Sequence, residues 1–155
     1  MTKNCTFEPC KMNIQELADD INKNHPEYVG AKLISTYLIQ DAERWERGKK
    51  ACFKEDLKKA CSGEGLMEFG KHFAYIKFYI DKSKEIRPLV VGKTNYERPD
   101  VIFDKIDDGR CARRFLCENN LEWHMTEILV VPARNRAEAY KIEGELKKTY
   151  GLLSS

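Results

Sequence analysis

The sequence predicts an α+β protein: a helical N-terminal region, then strand, strand, helix, strand and helix. Two observations carry this. Apolar residues recur at helical spacing from residue 12 to about 62 and switch to a period of two from Lys71 onward, and the stretch Ser62-Gly63-Glu64-Gly65 divides the two textures. A chain of 155 residues with 42% hydrophobic content is long enough to bury its own core. The expected division is a helical region over residues 1-70 and an α+β region over residues 71-155.

In the first region Ile14, Leu17, Ala18 and Ile21 predict a helix that His25-Pro26 interrupts. Leu33, Ile34, Tyr37, Leu38, Ala42 and Trp45 predict a second helix, and Phe53, Leu57 and Cys61 a short third. In the second region Ala74, Ile76, Phe78 and Ile80 share one face of a strand and belong in a core. Phe73, Tyr75, Lys77 and Tyr79 share the other face, whose mixture of rings and a cation suits the border of a polar cleft. After a charged turn, Pro88 to Val91 predict a second strand, and Gly92-Lys93-Thr94 taken alone reads as a turn. Residues Asp107 to Cys117 suit a helix with an acidic start. Trp123 to Val131 predict a third strand, stopped by Pro132. Asn135 is placed to cap a last helix from Arg136 to Tyr150, with Ala139, Ile142, Leu146 and Tyr150 on one stripe and Gly151 as its stop.

Composition narrows the function classes. No apolar run approaches the roughly 18 residues of a membrane span, and the N-terminus lacks the apolar stretch of a signal peptide, so a cytoplasmic protein with no membrane partner is expected. Six cysteines are present and none forms a C-x-x-C unit, which favours reduced structural thiols over a zinc ribbon. A net charge of +2 neither demands nor forbids nucleic acid. His124 reads as a structural residue of the third strand, and His72 and His25 join no evident constellation.

The informative tract runs from Lys77 to Thr94. Lys77-Phe78-Tyr79 lies near the end of one strand and Val90-Val91-Gly92-Lys93-Thr94 closes the next, with a separation of eleven from Tyr79 to Val90. Arg114-Phe115 follows on the predicted middle helix, with Arg113 and Arg110 as neighbours. The last helix holds Ala139-Tyr140-Lys141-Ile142-Glu143-Gly144-Glu145-Leu146. In this order, residues 77 to 151 resemble the GIY-YIG nuclease domain, although Lys77 stands at the first-motif glycine and Val90 at the second-motif tyrosine. A helix histidine carried by some members falls on Glu118.

That resemblance implies a small three-stranded antiparallel sheet flanked by helices and a metal-dependent hydrolysis of phosphodiester bonds without a covalent intermediate. It implies that Tyr79 activates water, that Arg114 or Arg113 holds the scissile phosphate, and that Glu143 binds a divalent metal, Mg2+ being the expected ion. A phenol with an ordinary pKa of about 10 is a poor base at neutral pH, so positive charge from Lys77, Lys93 or the metal has to favour its ionised form. Lys93 is open to either the tyrosine or the phosphate. Glu143 lies roughly 60° from the middle of the apolar stripe on an ideal helix of about 3.6 residues per turn, near the sheet but outside the core. Taken singly, each residue has an ordinary explanation: Tyr79 as packing, Glu143 as an ion pair with Lys147, the arginines as solubilising charge.

The expected activity is a restriction-type endonuclease acting on double-stranded DNA. Two strands must be cut, which implies a homodimer or successive nicks. Selectivity would come from the cations of the N-terminal region, among them Lys32, Arg44, Arg47, Lys54, Lys58 and Lys59, and from the link between Asn95 and Lys105. Two other classes fit less of the pattern: a catalytically inactive nucleic-acid-binding module and an α+β protein-interaction domain.

Overall fold

In the computed structural model, which describes residues 10–35, 54–60, 72–80, 83, 85–95, 118 and 127–154, two capped helices lie against one face of an antiparallel sheet. Helix α1 (Ile14–Asn24) begins at Asn13, whose side chain accepts from the Glu16 amide at 2.8 Å, satisfying a donor the first turn leaves open. It ends at His25, whose amide donates to the Ile21 carbonyl. The chain then reverses into β1 (Lys32–Ser35) through Gly30, whose φ of 121° is open to glycine and strained for other residues. Asn22 fastens this reversal by accepting from the Ala31 amide at 2.6 Å.

The remaining strands are β2 (His72–Ile80), β3 (Ile86–Asn95), β4 (Glu127–Pro132) and the two-residue β5 (Leu153–Ser154). Four of the five strands form an antiparallel sheet in the order β1-β4-β2-β3, and β5 adds a parallel pairing of Val90 with Leu153 at the outer side of β3. Helix α2 (Arg136–Tyr150) matches the sequence expectation at both ends. Asn135 accepts from the Glu138 amide at 2.8 Å, and Gly151 takes the left-handed conformation, φ 62°, that closes a helix. Residues 54–60 are also helical, and Leu57 there is buried. Among the described residues no helix is long and apolar enough to cross a membrane.

The alternation along β2 sets the layers. Ala74, Ile76 and Phe78 form a core with Ile14, Leu17 and Ile21 of α1, Val91 of β3, Leu129 and Val131 of β4, and Ala139, Ile142 and Leu146 of α2. Phe73, Tyr75, Lys77 and Tyr79 point to the opposite face and are buried too. These four side chains are thus buried where their polar members led to the expectation of a cleft border. Lys77 is 2% exposed, with its ammonium 5.8 Å from the Tyr75 ring centroid. A bulge interrupts the β2–β3 ladder: Lys77 faces Val90 and Phe78 faces Pro88, leaving Leu89 as an extra residue.

Three further expectations change. The antiparallel sheet has four strands rather than three, because β1 pairs with β4 from Lys32↔Val130 to Ser35↔Glu127. Leu33 and Ile34 therefore lie in a strand and not in a helix, and β1 shares a sheet, and α1 a core, with the elements after residue 70. Gly92, Lys93 and Thr94 continue β3 instead of turning, each paired with β2.

The core assignment predicts that Ile142→Ala destabilises by about 2–5 kcal/mol, through lost burial and the cavity left between α2 and the sheet. Asn135→Ala should cost about 1 kcal/mol through the lost cap. Both are read as shifts of the denaturant midpoint at unchanged slope.

Candidate functional site

Helix α2 has two polar flanks on either side of its apolar stripe. On an ideal helix, Arg136, Tyr140, Glu143 and Lys147 fall along one flank at spacings of four, three and four, and Lys141 and Glu145 fall on the other. The first flank meets β3 and the second meets the turn after α1.

Lys93 connects β3 to the first flank. It pairs with Ala74 in the ladder and so projects from the sheet face that carries α2. Its ammonium stands 3.7 Å from the centroid of the Tyr140 ring, and the Arg136 guanidinium carbon is 5.7 Å from the same centroid. The ring is 51% exposed, which makes Tyr140 the one large exposed apolar side chain among the described residues. Hydrogen bonding from Lys93 and then from Arg136, together with their positive charge, holds the Tyr140 phenol below its usual pKa. Glu143 is half-buried and one helical turn from Tyr140. The sheet face and this flank thus gather two cations, a phenol and a carboxylate.

Tyr79 stands apart from that group. It is 4% exposed and alternates with Phe78, whose side chain joins the α2 core, so its ring lies on the face of the sheet turned away from α2. The expected convergence of Tyr79 with Glu143 on one wall is not found: the sheet separates them. Lys93 and Glu143 do share a face. Arg110, Arg113, Arg114 and His124 lie outside the described residues, as do Arg44 and Arg47 and most of the link from Asn95 to Lys105. Lys32, expected as a DNA contact, donates to the Ala60 carbonyl at 2.9 Å, and Lys58 pairs with Glu55 at 3.6 Å.

The donor set beside Glu143 bears on the expected Mg2+. The one group of three or more His, Cys, Asp or Glu side chains brought together among the described residues does not include Glu143. One carboxylate fits Mg2+ only in its common form, a largely hydrated ion shared with substrate phosphate.

The second flank holds what sequence reasoning missed. Glu145 accepts from the Tyr28 hydroxyl, and the Tyr28 ring stacks on His25 with centroids 4.6 Å apart and planes 4° from parallel. His25 Nδ1 lies 3.1 Å from Glu27 Oε1, and Lys141 lies 4.0 Å from Glu145. A hydrogen bond from its own backbone amide and then the His25 contact keep the Glu27 carboxyl below its usual range. Nearby, the Tyr150 hydroxyl donates to Asp20 at 2.6 Å. Burial first, and the carboxylate partner second, push the Tyr28 and Tyr150 phenols up. Burial likewise raises the Cys10 thiol, as suits an unreactive structural cysteine. The spacing of Arg136 and Tyr140 was visible in the sequence as a helical pair, whereas the meetings with Lys93 and with Tyr28 depend on tertiary structure.

No protein-family model, curated protein or solved structure matches the chain.

Two pH dependences follow. One tyrosine should ionise below the ordinary value of about 10, and Lys93→Met should move that titration upward, as followed by tyrosinate absorbance and ring NMR shifts. Tyr28 and Tyr150 have the opposite sign. The folded state keeps their protons where the unfolded chain releases them, so their contribution is complete below pH about 10 and lost above it. Thermal midpoints should fall beyond that pH, and the Tyr28→Phe, Tyr150→Phe double variant should show a shallower fall from a lower starting stability.

Proposed function

We propose that this protein acts on nucleic acid as a metal-dependent phosphodiester hydrolase of the GIY-YIG type, a restriction-like endonuclease on double-stranded DNA, with its site on the β3 flank of α2. The observation that carries this reading is the Lys93 ammonium 3.7 Å from the Tyr140 ring, which gathers positive charge around an exposed phenol one turn from Glu143. The sequence resemblance over residues 77 to 151 supplies the reaction class. Two of its landmarks, Lys93 and Glu143, lie on the same side of the sheet.

Phosphodiester hydrolysis needs a deprotonated water, compensation for charge on the phosphoryl oxygens and correct placement of the reacting groups. Tyr140 takes the place expected of Tyr79 as proton acceptor, because Lys93 and Arg136 already favour its ionised form. The same two cations attract and orient the phosphate. Glu143 would hold Mg2+, and the bound ion would supply neutralisation of the phosphoryl oxygens and assistance to the leaving oxygen. A duplex cut on both strands calls for a homodimer or two successive nicks.

A second reading has its own observation. Because Tyr79 is buried on the opposite face, the resemblance lacks its phenol at the expected place, which favours a nucleic-acid-binding module without cleavage.

The test incubates supercoiled and linear duplex DNA with Mg2+ and the wild-type chain or the variants Glu143→Ala, Tyr140→Phe and Tyr79→Phe. Cleavage should fall by about 10²-fold or more in the first two. Tyr79→Phe should still cut. Loss of cutting in folded Tyr79→Phe, with Tyr140→Phe active, would remove Tyr140 from the site. Salt-sensitive retention of DNA without Mg2+-dependent fragments would establish the second reading.

A further inference from the structure

We infer that His25, Glu27 and Glu145 form a binding site for a divalent transition metal of the zinc type, which clamps the turn after α1 to α2. Each residue offers one ligand atom, and the three atoms all lie within 4.8 Å of one another. Metal–ligand bonds of about 2.0–2.2 Å place neighbouring ligand atoms roughly 3–4 Å apart, so a small side-chain adjustment completes the set. Glu27, 60% exposed, has the freedom to make it.

The donor chemistry selects the ion. One imidazole with two carboxylates suits zinc and its first-row neighbours, whereas Mg2+ and Ca2+ favour oxygen ligands alone. Three protein ligands leave one tetrahedral position for water. The imidazole is also held in place before any ion arrives. The His25 side chain is 16% exposed and its ring lies flat on Tyr28, whose hydroxyl at the same time donates to Glu145. One tyrosine therefore orients two of the three ligands, the part that neighbouring groups play around metal-bound histidine and carboxylate. The site draws on positions 25, 27 and 145, which the fold brings together from opposite ends of the chain. Carboxylate oxygens of Glu27 and Glu145 that lie within 4.8 Å of each other repel, and a dication between them converts that repulsion into attraction.

This site is separate from the proposed phosphate flank. Glu143 and Glu145 project about 160° apart around α2 on an ideal helix. Its role is to hold α1 against α2, not to enter the hydrolysis.

The test uses the full chain after removal of metal by chelation, with Zn2+ titrated by calorimetry and by thermal midpoint. One Zn2+ per chain should bind, and a hundredfold excess over Kd should raise the midpoint by on the order of 5 °C. Affinity should fall at least about tenfold in His25→Asn and in Glu27→Gln, and stay at the wild-type level in Glu143→Ala. Six cysteines could also draw zinc, so Co2+ serves as a spectroscopic probe: a spectrum without the intense thiolate charge-transfer band is expected. Wild-type affinity in both ligand variants, a thiolate band in the Co2+ complex, or binding of Mg2+ in preference to Zn2+ would each overturn the assignment. Glu27 is exposed, so Glu27→Gln keeps the test open if His25→Asn fails to fold.

Discussion

The strict alternation of β2 is the constraint on which the rest of the structure depends. This strand lies in the interior of the sheet, between β4 and β3, and it is buried on both sides. Every second side chain supports α1 and α2, and the intervening ones fill the opposite layer. A shift by one residue would exchange Ile76 and Phe78 for Lys77 and Tyr79 against α2, moving an already buried ammonium from beside the Tyr75 ring into the apolar core. The bulge at Leu89 gives local freedom on β3 without disturbing the assignment of β2. The same alternation that makes the core possible therefore keeps Tyr79 away from Glu143.

Helix α2 is the second organising element, and its two ends explain why it can present two different flanks. The Asn135 cap and the Gly151 left-handed stop fix its limits, so Ala139, Ile142 and Leu146 meet β2 and β3 in one rotational setting. With that setting fixed, Tyr140 has to face the Lys93 side and Glu145 the Tyr28 side. The charge distribution follows the same division. One flank is cationic around a phenol, and the other gathers carboxylates around an imidazole and a phenol.

Local pattern made much of this legible from the residues alone. The apolar spacing of α1, the period-two run of β2, and both caps of α2 are all set within a few residues of where they act. The strand β1 was not legible. Its four residues, Lys32-Leu33-Ile34-Ser35, merge into the helical spacing of Tyr37 and Leu38, and only pairing with β4 makes them extended. The extension of β3 through Gly92, Lys93 and Thr94 has the same origin, since partners on β2 compensate for the weak strand preference of Gly92 and Lys93. Burial of Tyr79 was hidden for another reason: alternation names the face of a side chain but not what covers that face. His25 looked isolated because its neighbour Glu145 is 120 positions away in the chain.

A phenol in a hydrolytic site is useful only where its ionised form is stabilised, and burial alone works against that. Tyr28 and Tyr150 show the opposing effect in this same protein, where shielding from water and a carboxylate partner both hold the proton on. At Tyr140 the balance is reversed, with burial outweighed by the two cations. The ring remains half in solvent and its neighbours are cations, so charge on the oxygen is favoured by Lys93 and Arg136 and tolerated by water. Which phenol has its ionised form favoured is therefore set by electrostatics and exposure, and it is not the tyrosine to which the motif spacing points. Strand β3 contributes the nearer charge because Lys93 lies in register with Ala74, on the sheet face that α2 covers, with its ammonium over the Tyr140 ring.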